Sequence, residues 1–419
     1  MIRHLLKLIW TQRQTNLLIT LELLLVSVCL WYVVDFMYVS TTTYFKPLGF
    51  DIKHTYNISF NELEPDAEGY IAPENKKTTQ GEDFLKILER IRRYPGVKAV
   101  CYSRVAIPYS GSTMNGSVYI LRDSDSLKQH SIVKYISKEF LQVFRFHTPD
   151  GKYYGKEIPL PESGVIISSD LIDSLFTTSV NPIGQKFYTP MNNIGQQLIS
   201  GLTTPIRSSE FETAYPCVHL ITSPAEMAER NQGASWYDVS IRVSPAADKD
   251  FVERFRKEMK QHTSEGNLYL LSIFPFSFQR KNQIEDNTNE LNNRTAIVFF
   301  LLMNVFQGVI GTFWFRTQQR RGEIGTRMAM GAYKGNVFNM LINEGLLLLT
   351  LAWLSALFIC WTLSKTSIID TELLAFSTTR FVVAIAITYL LLALMIILGI
   401  WFPARKVIKI SQAEALRDE

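Results

Sequence analysis

The chain lacks the short motifs that mark most catalytic sites. Its 419 residues contain no HExxH zinc motif, no GxSxG nucleophile elbow and no GxxxxGKS or GxxxxGKT phosphate loop. The six histidines are scattered, and their spacing does not match that of a metal site. The sequence therefore predicts a non-catalytic chain that holds no metal or cofactor of its own and does not hydrolyse ATP in the P-loop manner.

Cysteine is also scarce, and the four cysteines divide into two pairs. Cys29 and Cys360 lie in apolar runs, whereas Cys101 and Cys217 lie in a long polar block. An oxidising compartment would permit a disulfide between Cys101 and Cys217. Two free thiols are at least equally compatible with the sequence, because it does not show how close these residues lie in space.

What the chain does contain is four long apolar runs, at residues 17–39, 296–315, 341–363 and 381–402. Each is long enough for a helix to cross about 30 Å of hydrocarbon. The first run is too long for a signal peptide, contains Glu22 and precedes no small-residue cleavage site, so we expect a retained anchor. The predicted fold is an α-helical membrane protein with four transmembrane helices. A large α/β (α+β) extracytoplasmic domain is inserted between helices 1 and 2.

These runs set the predicted segment boundaries. The segments are an interfacial N-terminal helix (1–16), a first transmembrane helix (17–39), an extracytoplasmic domain of two α/β subdomains (40–280), a stalk (281–294), a second transmembrane helix (295–316), a cytoplasmic segment (317–337), a third transmembrane helix (338–363), an outer loop (364–380), a fourth transmembrane helix (381–402) and a cytoplasmic tail (403–419). The subdomain divisions are expected near 105–130 and 225–245. We expect the stalk to be helical, although its many Asn residues leave a flexible linker as the alternative.

The chain has no large excess of charge of either sign. It contains 43 Lys and Arg and 39 Asp and Glu, which gives a net charge of +4. The basic residues cluster beside the apolar runs, at 3–13, 316–334 and 405–409. By the positive-inside rule these stretches are cytoplasmic, which places both termini inside and the large domain outside. The excess thus indicates membrane topology, and we expect no nucleic-acid partner.

Residue patterns within the inserted domain predict several elements. Helices are expected at 84–93, before Pro95, and at 248–262, and strands are expected at 97–107, 165–167 and 239–243. A helix capped by Ser168 or Ser169 should follow the second of these strands, and residues 205–224 should hold a strand and a turn.

One face of the second transmembrane helix carries small and amide side chains. Asn304, Gln307, Gly308 and Gly311 follow helical spacing, which suits close helix–helix approach. The partner is either another protomer or another helix of the same chain. Acidic residues within or beside the spans are assigned to packing or interfacial positions rather than to a proton pathway, and they are Glu22, Asp35 and Glu344.

The basic segment at 316–332 joins the second and third spans. Residues 323–332 can form a short helix with Ile324, Met328 and Ala332 on one side, and Gly325 and Gly331 would permit close approach by a partner. A plain basic loop is the alternative.

The same segment carries a family resemblance. RRGEIGTRMAMGA at 320–332, followed by LINEGLLL at 341–348, resembles the signature of MacB/FtsX-type ABC transporter permeases. PARKVIKISQAEALR at 403–417 is similar to the C-terminal signature of that family. YISKEFLQVF at 135–144, GVIISSDL at 164–171 and NPIGQK at 181–186 resemble parts of its periplasmic core domain.

The resemblance implies a permease subunit of the bacterial inner membrane whose movements are driven by a cytoplasmic ABC ATPase dimer. That partner would bind ATP and Mg, and the permease would transmit the movement to its periplasmic domain (mechanotransmission). Efflux or extraction of a drug, peptide or lipoprotein is the expected outcome. The alternative is an FtsX-like regulator that activates an envelope partner, such as a cell-wall hydrolase, without transport.

Carried onto this sequence, the family's coupling helix would consist of Glu323, Ile324, Gly325, Arg327, Met328 and Gly331. Further implied partners are a second permease (an identical copy or a related paralogue), membrane lipid, and a periplasmic adaptor or outer-membrane channel. The sequence departs from the family where Gln412 replaces the usual Pro and where AWLS at 352–355 replaces frequent glycines. It also lacks the ATPase domain that some members fuse to the permease, so we expect the ATPase on a separate subunit.

Overall fold

A computed structural model describes residues 13–110, 115–122, 125–175, 181–188, 196–259, 262–319, 321–330 and 332–408. The chain divides into two compact units. The first, called the membrane unit, comprises Met1–Tyr44 and Asn287–Glu419, and the second, called the sheet domain, comprises Phe45–Asp286. Most of the predicted interfacial helix (1–16) and most of the predicted tail lie outside the described residues, and residues 13–16 belong to α1.

In chain order, α1 of the membrane unit is followed by the elements of the sheet domain and then by the remaining helices of the membrane unit. The helices are α1 (Arg13–Tyr44), α2 (Gln80–Arg92), α3 (Phe140–Val143), α4 (Ser169–Leu175), α5 (Pro224–Ala228), α6 (Phe251–Met259), α7 (Phe276–Gln319), α8 (Arg321–Ala329), α9 (Lys334–Leu363) and α10 (Thr378–Ile408). The strands are β1 (Thr55–Glu62), β2 (Val97–Arg104), β3 (Asn115–Arg122), β4 (Asp125–Ile136), β5 (Val165–Ser168), β6 (Lys186–Tyr188), β7 (Gln196–Thr203), β8 (Cys217–Ile221), β9 (Asp238–Val243) and β10 (Leu268–Pro275).

Four helices are long and apolar enough to cross a membrane. The candidate spans are Ile19–Tyr44 in α1, Phe276–Gln319 in α7, Lys334–Leu363 in α9 and Thr378–Lys406 in α10. The sheet domain lies between the first two in sequence, so the predicted fold class is confirmed. The predicted stalk at 281–294 is helical, because α7 runs without interruption through it.

The membrane unit is built where α9 and α10 pack against α1 and against each other. Leu30 and Trp31 of α1 and Leu349 of α9 are fully buried in this contact. Gly345 allows the close approach of α9 to α10, since a Cβ there would lie 2.4 Å from Ile400 Cδ1. Small residues at helix contacts favour association in a membrane because they let backbones pack closely.

Of the α9 residues at 352–355, Ala352 and Trp353 are buried, whereas Leu354 and Ser355 are exposed. Trp353 lies with its ring centroid 5.4 Å from that of Tyr389 in α10. The hydroxyl groups of Thr350 and Tyr389 are 3.1 Å apart and share a hydrogen bond. An aromatic contact and a hydrogen bond therefore join α9 to α10 at this level.

The described strands of the sheet domain form one sheet in the order β10-β1-β9-β2-β4-β3-β6-β7-β5-β8. The first four strands of this order are antiparallel neighbours, with α2 connecting β1 to β2 and α6 connecting β9 to β10. The other six form a closed ring, because β8 also pairs with β4. Along the chain, the strands pass from the first group to the ring between Arg104 and Asn115 and return to the first group between Ile221 and Asp238. The two predicted subdomains thus share one sheet.

Helix α2 shows how the sequence forms the first of two buried clusters in this domain. Thr79 and Glu82 make reciprocal side-chain to backbone hydrogen bonds of 3.0 and 3.1 Å, a capping box that begins the helix. Phe84, Ile87 and Ile91 then recur at helical spacing and are fully buried against the sheet. The predicted helix at 84–93 is thereby confirmed.

The second cluster lies around α3 and includes Phe140, Phe144 and Phe276, all fully buried.

The other secondary-structure elements predicted for the inserted domain also have counterparts in the structure. The strands expected at 97–107, 165–167 and 239–243 are β2, β5 and β9, the helix beginning at Ser169 is α4, the helix expected at 248–262 is the shorter α6, and the strand within 205–224 is β8.

The two cysteines of the sheet domain are free thiols and are both buried. Cys101 lies in the cluster around α3, whereas Cys217 has its Sγ 3.8 Å from His219 Nε2. Burial raises the pKa of both thiols, so both stay protonated at neutral pH. The sequence left open a disulfide between Cys101 and Cys217 or two free thiols, and the structure has two free thiols.

Candidate functional site

The segment between α7 and α9 folds into a short helix, as its residue pattern predicts. Ile324 and Met328 of α8 lie one helical turn apart and are buried against Val337 of α9. Ala332 and Phe338 pack on the same small cluster. Helix α8 is therefore held against the beginning of α9 by its apolar side.

The exposed apolar residues of this segment lie at the connection between α8 and α9. Met330 is 78% exposed and Tyr333 is 81% exposed. Tyr333 has an extended conformation (φ −66°, ψ 142°) and precedes the first residue of α9. The connection thus presents two large apolar side chains to its surroundings.

The structure separates the predicted coupling residues by their environment. Ile324, Gly325 and Met328 are buried within this chain, and Ile324 and Met328 pack α8 against α9. The side chains of Glu323 and Arg327 and the whole of Gly331 lie outside the described part of the structure. Sequence reasoning missed Met330 and Tyr333, although both are large apolar residues next to a predicted helix end.

The small and amide residues of α7 also divide into two groups. Gly308 faces α1, because a Cβ there would lie 2.7 Å from Glu22 Oε1. Asn304, Gln307 and Gly311 are exposed, and a Cβ on Gly311 would meet no atom within 4 Å. Gly308 therefore packs within the chain, whereas the other three form an uncovered stripe of α7.

A buried ion pair joins α1 to α10. The Arg380 guanidinium donates to both carboxylate oxygens of Asp35, and both side chains are almost fully buried. Arg380 also donates to the carbonyl oxygens of Asp370 and Leu374, at 3.0 and 2.5 Å. It thereby fixes the loop between α9 and α10 to the end of α1. Asp35 was expected to have a packing role, and in the structure it forms this ion pair with Arg380.

The described residues contain no group of three or more His, Cys, Asp or Glu side chains placed to hold a metal ion. The arrangement around α8 likewise brings together apolar side chains rather than an acid, a base or a nucleophile. What it provides chemically is two exposed apolar side chains at the connection between α8 and α9.

These observations define a class: a four-span membrane protein with a large α/β domain between its first and second spans. Residues 295–412 match the family model of the FtsX-like permease C-terminal domain. This match covers α8 and three of the four spans, and it confirms the family resemblance: this part of the chain is an FtsX-like permease region. No curated protein matches the chain.

Solved structures similar to the chain include domains of three other proteins. A domain of a putative permease protein from Porphyromonas gingivalis is 15% identical, with a TM-score of 0.35, over 54% of this chain and 93% of that one. The extracellular domain of the noncanonical ABC-type transporter YknZ from Gram-positive bacteria is 14% identical, with a TM-score of 0.31, over 52% and 100%. The periplasmic region of MacB from Actinobacillus actinomycetemcomitans is 12% identical, with a TM-score of 0.31, over 56% and 94%.

Proposed function

We propose that this chain is the permease subunit of an ABC transporter and that a separate cytoplasmic ATPase dimer drives movement of its sheet domain. The match of residues 295–412 to FtsX-like permeases carries this proposal. The four spans with an inserted domain support it. In this account the chain lies in a bacterial inner membrane with both termini in the cytoplasm, because its basic flanking residues follow the positive-inside pattern. ATP and Mg bind to the partner, and this chain carries no catalytic residue.

The contact with the ATPase is proposed to centre on the α8–α9 connection. Met330 and Tyr333 would enter an apolar recess of the ATPase, and Glu323, Arg327 and Gly331 would border them. Ile324, Gly325 and Met328 would transmit the force. Packing of Ile324 and Met328 against Val337 would make α8 and the start of α9 move together, and Gly325 is buried between them. Movement of the spans would then reach the sheet domain through the continuous helix α7.

The exposed stripe of α7 is proposed to contact a second permease, either another copy of this chain or a related one. Asn304 and Gln307 would form hydrogen bonds across the contact, and Gly311 would allow the two backbones to approach closely. The amide of Asn304 now donates to the Phe300 carbonyl oxygen of its own helix at 2.9 Å. The remaining faces of the spans would contact lipid.

Efflux or extraction of a drug, peptide or lipoprotein is the proposed outcome, with an adaptor or outer-membrane channel as a further partner. An FtsX-like regulator that activates an envelope enzyme is the second candidate, and the family model is equally compatible with it. Both candidate functions use the same movement of the permease, so a measurement of export distinguishes transport from regulation. A deletion strain that retains the exported compound supports transport, whereas unchanged export with altered cell-wall hydrolysis supports regulation.

The test of the proposal is ATP hydrolysis by a purified complex. The full-length chain, affinity-purified from its own membranes in lipid nanodiscs, should carry a vanadate-sensitive ATPase subunit. Hydrolysis by that subunit should be faster with the chain than without it. A chain that neither retains an ATPase nor changes its rate would contradict the proposal.

A further inference from the structure

The sheet domain contains a cavity of about 820 Å³ that the coupling account does not use. Its wall is formed by the chain that enters the domain at 47–51, the beginning of β2, the turn after α3 and residues 153–156. Arg242 of β9 lies on the same wall. The volume falls within the range of pockets that bind small organic ligands, about 300–1,000 Å³.

Positive charge dominates this cavity. Four cationic side chains line it, from Lys98, Arg145, Lys156 and Arg242, whereas Asp51 is the one carboxylate among its lining residues. Arg145 Nη1 lies 3.0 Å and Arg242 Nη1 lies 3.5 Å from the same Asp51 oxygen. A single acid is thus shared by two arginines, and an excess of three positive charges remains.

Arg242 provides a fixed charge in the wall. It is buried and donates to the carbonyl oxygens of Lys53 and Asp51 at 2.7 and 2.6 Å and to that of Val143. Burial lowers the pKa of Arg242 to about 10, so the guanidinium stays charged at neutral pH. Its hydrogen bonds connect the entering chain to α3, which makes it part of the framework of the cavity.

The two lysines have a different character. Lys98 and Lys156 are exposed, and neither forms an ion pair with another residue that the structure describes. Lys98 is the extra residue of a β-bulge, because Val97 pairs with Val243 and Ala99 with Arg242. Bulges reorient the side chain that they carry. The two ammonium groups are therefore available to donate hydrogen bonds to a bound anion.

Arg145 has an unfavourable backbone conformation. Its φ of 52° lies in the left-handed region, which side chains with a Cβ adopt at an energetic cost. The side chain is half exposed and has Asp51 as its ion-pair partner. Residues with strained backbone conformations occur frequently at ligand sites. An arginine, unlike the glycine that this conformation favours, provides a charged side chain there.

Much of the remaining lining is apolar or aromatic, and Gln142 and His147 are further polar residues in it. Pro47, Leu48 and Phe50 come from the entering chain, and Tyr153 is 40% exposed beside them. An inorganic ion would leave this surface uncovered. An anionic group on a hydrocarbon or aromatic body would pair with the cations and cover the apolar wall at the same time.

We propose that this cavity is a binding site for an amphiphile with a phosphate or carboxylate head group. Lys98, Arg145 and Lys156 hold the head group, and Phe50 and Tyr153 contact the apolar body. The head group belongs either to a membrane phospholipid or to a soluble amphiphile. The site does not depend on the ATPase, so it can be tested separately from the proposed function.

The test measures binding of dodecyl phosphate by calorimetry to the full-length chain in nanodiscs of phosphatidylcholine. The Lys98→Gln/Lys156→Gln double variant should bind at least about tenfold more weakly, because it removes two charge-assisted hydrogen bonds to the head group. Lys249→Gln is the matched control, because Lys249 is exposed on the same domain outside the cavity, and its binding should not change. Equal binding by the wild type and the double variant overturns the proposal.

Two further arms define the ligand. Inorganic phosphate should bind much more weakly than dodecyl phosphate, and equal affinity would overturn the assignment of the apolar wall. Phosphatidylglycerol added to the nanodiscs should compete in the wild type if the head group comes from lipid, and absence of competition supports a soluble amphiphile. Arg145→Gly should weaken binding while the thermal unfolding midpoint is kept or raised, because glycine relieves the left-handed backbone. A lowered midpoint together with unchanged binding contradicts the role given to Arg145.

Discussion

Arg380 and Asp35 form a two-pronged ion pair in the membrane unit, with Nε 2.9 Å from one carboxylate oxygen and Nη2 2.6 Å from the other. The residues are 345 positions apart in sequence, and the pair joins the end of α1 to the beginning of α10. Both side chains are almost fully buried, so each has the other as its charged partner.

Removing one member of this pair should therefore be more harmful than removing both. Arg380→Met leaves the Asp35 carboxylate buried without its partner and should lower the free energy of unfolding by about 3–5 kcal/mol. The Asp35→Leu/Arg380→Met double variant should recover part of this loss. The measurement is the unfolding midpoint of the full chain in detergent, with the exposed Glu372→Gln as the control. A double variant that is less stable than Arg380→Met alone would contradict the account.

The two glycines of α7 should respond differently to the same substitution. Gly308→Leu forces a side chain into the Glu22 carboxylate and should cost about 1–3 kcal/mol of stability through overpacking. Gly311→Leu meets open space and should change stability by less than about 0.5 kcal/mol.

Assembly distinguishes the roles of these glycines further. If the Asn304, Gln307 and Gly311 stripe contacts a second permease, Gly311→Leu should reduce the dimer fraction measured by single-molecule photobleaching in nanodiscs. The matched comparison is Gly308→Ala, a smaller change on the inward face. A Gly311→Leu chain that dimerises like the wild type would assign the stripe to lipid.

His219 should make the sheet domain sensitive to acid. It is fully buried beside Phe140 and Phe146, and burial, assisted by the charge of Lys134, lowers its pKa from 6.5 to about 3. The unfolded chain binds the proton more readily than the folded chain. Stability is thus complete above pH 6.5 and is lost as pH falls toward 3, by about 1.4 kcal/mol for each pH unit.

Hydrogen exchange of β8 measures this effect in the full chain. The protection of β8 should fall between pH 6.5 and pH 5 after correction for the intrinsic exchange rate, and the fall should be smaller in His219→Gln. The exposed His130→Gln serves as the control and should retain the wild-type fall. Identical pH dependence in His219→Gln and the wild type would remove His219 as the cause.

Local patterns in the sequence were sufficient for much of the fold. Long apolar runs predict the four spans, because a membrane requires about 20 apolar residues of helix and little else has such runs. Helix α2 follows from its capping box and from the spacing of Phe84, Ile87 and Ile91. Packing of Ile324 and Met328 on one side of α8 also follows from periodicity.

The missed features depend on residues that are distant in sequence. The pairing of Asp35 with Arg380 and the contact of Gly308 with Glu22 arise from the packing of separate helices, which periodicity does not encode. The closed ring of six strands includes β6, which has three residues and a weak sequence signal. The cationic cavity combines residues from five parts of the chain, so no local cluster of Lys and Arg marks it.

Permease-stimulated ATP hydrolysis with altered α8–α9 connections tests the central claim most directly. The Met330→Asp/Tyr333→Asp double variant replaces two exposed side chains, so the chain should stay folded while stimulation of the ATPase falls at least about tenfold, as expected for loss of two apolar anchors. Asn336→Asp adds a charge to the same region without removing apolar surface and should retain stimulation. Wild-type stimulation by the double variant would contradict the claim that force enters this chain at Met330 and Tyr333.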